Sequence, residues 1–177
     1  MATMANAQLL GRPIAGSVTR SGMPASPRPL NADYIKFSAR PSAPFWARQH
    51  TRLFLGRCGF AREMIETAQM VVSELTTNAV QATGNSSADR PVYSELVKSG
   101  VIGLSLRHFL RGLLVEVIDA SPDPPVLTAT DAYSVSGRGL LIVDALSREW
   151  GYFPANPGKC VYSILDISVS GGSPQQS

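Results

Sequence analysis

Cysteine is scarce in this 177-residue chain: Cys58 and Cys160 are the only two, too few for a disulfide framework. Histidine is equally scarce, and His50 and His108 make no metal-spaced cluster with the cysteines. No apolar run approaches the roughly 20 residues a membrane helix needs. The first residues also lack the continuous apolar stretch of a secretory signal. These absences exclude several classes and predict a reduced, cytoplasmic protein with no membrane span. Basic charge is present but concentrated. The net charge is +3, yet residues 1–40 carry Arg12, Arg20, Arg28, Lys36 and Arg40 against Asp33 alone, a local +4. The remaining 11 basic and 12 acidic residues sum to −1. Beyond the first 40 residues the chain therefore lacks the basic footprint of a nucleic-acid binder.

What is present is enough apolar residue, 44%, for one domain with a full core. Residues 1–40, rich in Arg, Ser, Pro and Gly and without apolar periodicity, read as a disordered basic tail. A transit peptide and ordinary bacterial low-complexity sequence share that composition. The domain is expected over 41–168, with a second low-complexity tail over 169–177. "APFWARQHTRLFLGRCG" has helical spacing and meets Gly56 and Gly59. Ala61, Ile65, Ala68, Val72, Leu75, Ala79 and Ala82 draw one apolar stripe along a helix ending near Gly84. The state of Tyr93 to Lys98 is left open. "VIGLSLRHF" and "GLLVEVID" predict a hairpin, and a Pro-rich loop follows Asp119. "GRGLLIVDALSREW" predicts a helix of about three turns, and "WGYFPANPGKCVYSILDI" a closing hairpin around Pro157 and Gly158.

Several positions could carry chemistry. Glu74 and Asn78, four apart on a helix, share one face at the flank of the apolar stripe. A carboxylate there can orient or deprotonate a nucleophile beside an amide oxygen suited to hydrated Mg²⁺. A solvated surface pair is the plain alternative. Asp119 ends a strand at a loop, where it can accept an exocyclic amine hydrogen bond or merely start a turn. Gly137 and Gly139 open a helix with Arg138 between them, a setting that suits phosphate as well as a simple Gly-rich helix start. Lys159 in "PGKCV" reads as a surface lysine at a hairpin tip, with a phosphate or lid contact as the alternative. His50, His108, Trp46, Trp150 and Cys160 read as packing or surface residues.

Taken in order, "SELTTNAVQA", "VEVIDASPDPP", "SGRGLLIVDALS" and "WGYFPANPGKCVYSIL" resemble the successive boxes of a GHKL ATP-binding domain, the superfamily of gyrase, histidine kinases and MutL. Within it, the chain is most similar to the single-domain anti-sigma-factor serine kinases and small ATP-binding relatives, over about Ala43 to Ile167. The resemblance implies a Bergerat-type α/β two-layer sandwich, its sheet mixed but mostly antiparallel, with helices on one face. It implies ATP and Mg²⁺ as ligands, with Glu74 as general base, Asn78 as magnesium ligand and Asp119 as reader of the adenine amino group. Gly137 and Gly139 would lie beside the phosphates, Ser121 would stand where the family has its first-box glycine, and residues 120–136 would form the lid. The sequence departs from the pattern at Ser121, at Ala82 in place of a histidine, and at Cys160 and Val161 where many relatives have threonine.

The function implied is phosphorylation of a serine on an anti-anti-sigma protein of the STAS type, with a sigma factor as the other partner. Relatives of this size often dimerise, so a homodimer is implied as well. The alternative from another class is a non-catalytic module in which ATP orders the lid and so selects a partner. A histidine kinase fits less well, because only the tail precedes the domain. No direct nucleic-acid contact is expected.

Overall fold

The computed structural model describes residues 28–85, 100–125 and 139–167. Its elements run β1 (Asn31–Ser38), α1 (Ala43–Arg57), α2 (Arg62–Asn85), β2 (Val101–Phe109), β3 (Gly112–Asp119), α3 (Gly139–Leu146), β4 (Glu149–Pro154) and β5 (Lys159–Asp166). The strands make one five-stranded sheet in the order β1-β2-β3-β5-β4. Each neighbouring pair is antiparallel, so among the described residues the sheet is antiparallel throughout rather than mixed.

Period-two alternation sets the two faces of the sheet. Leu104 pairs with Val117 and Leu106 with Val115, and Val117 pairs in turn with Val161 on β5. These residues join Phe54 and Leu55 of α1, Ala68, Val71, Val72 and Leu75 of α2, and Leu140 and Val143 of α3 in one buried core. The three helices therefore cover one face of the sheet. The stripe predicted on α2 lies against that core, although Ala61 at its start is exposed and Ile65 half-buried. α1 stops where Gly59 takes a φ of 77°.

The tail reading of residues 1–40 fails for its last part. Asn31–Ser38 pairs along its whole length with β2, from Asn31 opposite His108 to Ser38 opposite Val101. The signal was the alternation of Ile35 and Phe37, which pack against the core, and it was masked by the basic, Pro-rich sequence just before it. Among the described residues α3 runs for eight residues, just over two turns. It ends because the Arg148 backbone N–H already donates to Ile164 O, 2.8 Å away, which commits the chain to the sheet. The segment Tyr93 to Lys98, Gly137, Arg138, most of the expected lid and both expected tails beyond 28 and 167 lie outside the described residues.

On the opposite sheet face Tyr162 lies across its strand partner Gly151, where a β-carbon would stand 2.9 Å from the phenol oxygen. Its hydroxyl donates to Glu149 Oε1 at 3.0 Å. Burial first, and the neighbouring carboxylate second, push the Tyr162 phenol up to about 12 from an ordinary 10. The folded state thus holds a proton that the unfolded chain releases near pH 10. Stability is fully present below about pH 10 and falls as pH rises toward 12. A spectrophotometric titration of the five tyrosines is expected to show one ionising last, and Glu149→Gln to bring it back toward the others. Simultaneous ionisation of all five in the wild-type fold would contradict the assignment.

Candidate functional site

α2 carries Glu74 and Asn78 on its half-buried flank, one helical turn apart, as their spacing predicts. Glu74 makes no hydrogen bond or ion pair among the described residues. Its carboxylate instead rests against the first turn of α3, so close that a β-carbon on Gly139 would stand 2.5 Å from Glu74 Oε2. Glycine at this position is what lets α3 start against the carboxylate. A carboxylate at a helix N-terminus also stabilises that helix by about 0.3–1 kcal/mol, so this contact has a structural use too. Asn78 is less satisfied. Its Nδ2 is buried without a hydrogen-bond partner, as is Thr76 Oγ1 two residues earlier. An unpaired buried amide costs about 1–3 kcal/mol, and no described residue offers Asn78 Nδ2 a partner that would offset it.

A second group forms where β3 ends and β5 begins. Asp119 and Lys159 are register partners, which places both side chains on the helix-covered face at one end of the sheet. Lys159 Nζ donates to Asp119 Oδ1 at 2.9 Å and to Ser121 O at 3.2 Å. The Ser121 backbone N–H donates to the same Oδ1 at 2.9 Å. The side chains of Asp119 and Lys159 are 1% and 5% exposed. Lys159 is therefore not the surface lysine expected at a hairpin tip. Chain direction alone gave it that position; the β3–β5 register buries it opposite a strand-end aspartate. Adjacency of the two hairpins was the missing information.

Gly158, one residue before Lys159, seals this end of the sheet. Its φ is 74°, and a β-carbon there would collide with Asp119 O and stand 2.5 Å from the Ala120 carbonyl carbon. Ser121 is buried, its Oγ donating to Asp123 Oδ2 at 3.3 Å.

The structure thus gathers the expected residues into two groups, Glu74 with Gly139 and Asp119 with Ser121 and Lys159. Gly137 and Arg138 lie outside the described residues. No cluster of three or more His, Cys, Asp or Glu side chains is placed to hold a metal among the described residues. No helix there is long and apolar enough to cross a membrane.

No protein-family model matches the sequence, and no curated protein matches it. Among solved structures, the chain is similar to the RsbU and RsbW domains of Rv1364c from Mycobacterium tuberculosis, with a TM-score of 0.53 and 20% identity. The match covers 77% of this chain and 32% of that one. At that identity the likeness establishes a shared fold, an α/β layer of helices on an antiparallel sheet. The chain spans about a third of the length of the structure it matches.

Proposed function

We propose that the chain is an ATP-binding regulatory protein of the anti-sigma-factor type, with serine kinase activity toward an anti-anti-sigma partner of the STAS class. The observation that carries this reading is the unpartnered Glu74 carboxylate held at the start of α3, one turn along α2 from the unsatisfied amide of Asn78. The fold likeness to a structure containing an RsbW domain supports it. So do the four sequence boxes in their order.

The residues fit magnesium and nucleotide phosphate better than they fit the base. Rotation of the Asn78 amide exchanges its nitrogen and oxygen, so its orphaned end can present the oxygen that a hydrated Mg²⁺ ion needs. Gly139 lets the Glu74 carboxylate lie directly against a helix start that favours anionic groups. At the base end, Oδ1 of Asp119 is already taken by Lys159 and Ser121, which leaves Oδ2 as the oxygen to meet an adenine amine. Bound Mg·ATP would supply the transferable phosphoryl group. Glu74 would orient the attacking serine hydroxyl and accept its proton, Asn78 would hold the metal, and Gly139, with Gly137 and Arg138, would border the phosphates. Lys159 belongs to the base end in this reading, where it fixes the rotamer of Asp119.

A second reading, ATP-dependent partner binding without phosphotransfer, is favoured by the departures from the family pattern at Ser121 and Ala82. Transfer of labelled phosphate from ATP to a co-purified STAS-type partner separates the two. The kinase reading predicts transfer by the wild type and a drop of about 10²- to 10⁴-fold in Glu74→Gln, with ATP binding kept. Wild-type ATP binding without transfer would leave only the binding module.

A further inference from the structure

Lys159 has more hydrogen-bonding capacity than the fold uses. A lysine ammonium carries three N–H donors and no acceptor. Among the described residues two of the three are placed, one on Asp119 Oδ1 at 2.9 Å and one on the Ser121 carbonyl oxygen at 3.2 Å. Only 5% of the side chain is exposed, so bulk water is a poor acceptor for the third, and a buried donor left without an acceptor is costly. The carboxylate is in the converse state. Its Oδ1 accepts from both Lys159 and the Ser121 backbone N–H, which fills its two lone pairs, while Oδ2 accepts from no group among the described residues. The β3–β5 register thus sets one unused donor and one unused acceptor side by side at the end of the sheet. Backbone contact fixes their position, because Gly158 packs against Asp119 O and Ala120 where no β-carbon fits.

We infer that Lys159 is a second reader of the base: its unused N–H donates to ring nitrogen N1 of a 6-aminopurine while Asp119 Oδ2 accepts from the adjacent amine. The inference rests on the nucleotide reading above and deepens it. An adenine edge presents an amine donor beside a ring acceptor, which complements the pair. Guanine and hypoxanthine reverse that order, with a carbonyl oxygen facing the carboxylate and a ring N–H facing the ammonium. Both contacts then repel, and neither buried group keeps a partner. The lysine therefore does more than hold the Asp119 rotamer. A lone carboxylate oxygen would accept from any base with an exocyclic amine, the 2-amino group of guanine included; the neighbouring donor supplies the discrimination. A phosphate is disfavoured as the ligand of Lys159, because Asp119 neutralises the ammonium and its Oδ2 would stand beside the anion.

The test titrates the full chain calorimetrically, in the presence of Mg²⁺, with ATP, with GTP and with 1-deaza-ATP, in which C–H replaces N1. The wild type is expected to bind ATP about tenfold or more tightly than 1-deaza-ATP, and about 100-fold or more tightly than GTP. In Lys159→Met the preference for ATP over 1-deaza-ATP should disappear, a coupling between ligand and side chain that a lysine acting only on Asp119 does not produce. Equal binding of ATP and 1-deaza-ATP by the wild type overturns the inference while leaving the nucleotide reading in place. So does a preference that persists undiminished in folded Lys159→Met. The wild-type comparison needs no substitution, so it decides the matter even where Lys159→Met does not fold. Absence of ATP binding by the folded wild type removes the nucleotide reading itself, and this inference with it.

Discussion

Asp119→Ala is expected to destabilise the protein by about 3–5 kcal/mol, because it strands the Lys159 ammonium in a site where only 5% of that side chain reaches solvent. Lys159→Met should cost a similar amount by stranding the carboxylate. Their net worth as a pair is a different quantity, since desolvating both charges offsets most of their attraction. The double variant Asp119→Ala with Lys159→Met should therefore be more stable than either single variant. Urea midpoints for the four proteins give the coupling directly. Single variants within about 1 kcal/mol of wild type would mean that the two groups are solvated and not a closed pair. The same result governs how nucleotide binding is read. A loss of ATP binding in Asp119→Ala says little about the base unless the protein is shown to remain folded.

Gly158→Ala is the second change with a large expected effect, a loss of about 3 kcal/mol. Two causes add. A φ of 74° is strained for any residue with a β-carbon, and that carbon would stand 2.5 and 2.8 Å from the carbonyl and α-carbons of Ala120. These are backbone atoms at the end of β3, so they cannot swing aside as a flexible side-chain end could. Gly56→Ala is the control, since a β-carbon there meets nothing within 4 Å and the site is inside α1. Helix propensity predicts a gain of up to about 1 kcal/mol for it. A Gly158→Ala protein with the wild-type denaturation midpoint would contradict the close approach of the β4–β5 turn to Asp119 and Ala120. Since Asp119 is the expected base reader, the variant should weaken any nucleotide binding that depends on it.

Much of this was legible in the residues, for identifiable reasons. Helical periodicity located α1 and α2 to within two residues at each end described. Alternation with short turns located both hairpins, because these signals are local. β1 was lost because its alternation is short and its pairing with Val101–Phe109 bridges more than 60 residues of intervening chain. The shared face of Glu74 and Asn78 followed from the helix repeat alone. The approach of Glu74 to Gly139 did not, since it depends on how α3 packs against α2. Lys159 illustrates the same limit most clearly. A lysine beside a Pro-Gly turn reads as exposed from its neighbours in sequence, and only the β3–β5 register reveals the aspartate opposite. The order of the four boxes carried the information that single spacings lacked, by suggesting which distant segments converge.

The proposed nucleotide site is tested most directly by calorimetric titration of ATP, with and without Mg²⁺, into the wild-type protein and Asn78→Ala. Asn78 is the choice because its buried Nδ2 has no partner among the described residues, so its removal should leave stability nearly unchanged while taking away the proposed metal ligand. The result expected is saturable, magnesium-dependent binding by the wild type and binding weaker by ~10-fold or more, without magnesium dependence, in the variant. Absence of ATP binding by the folded wild-type protein, or equal magnesium-dependent binding by both proteins, would contradict the assignment of this face of α2 to a metal–nucleotide site.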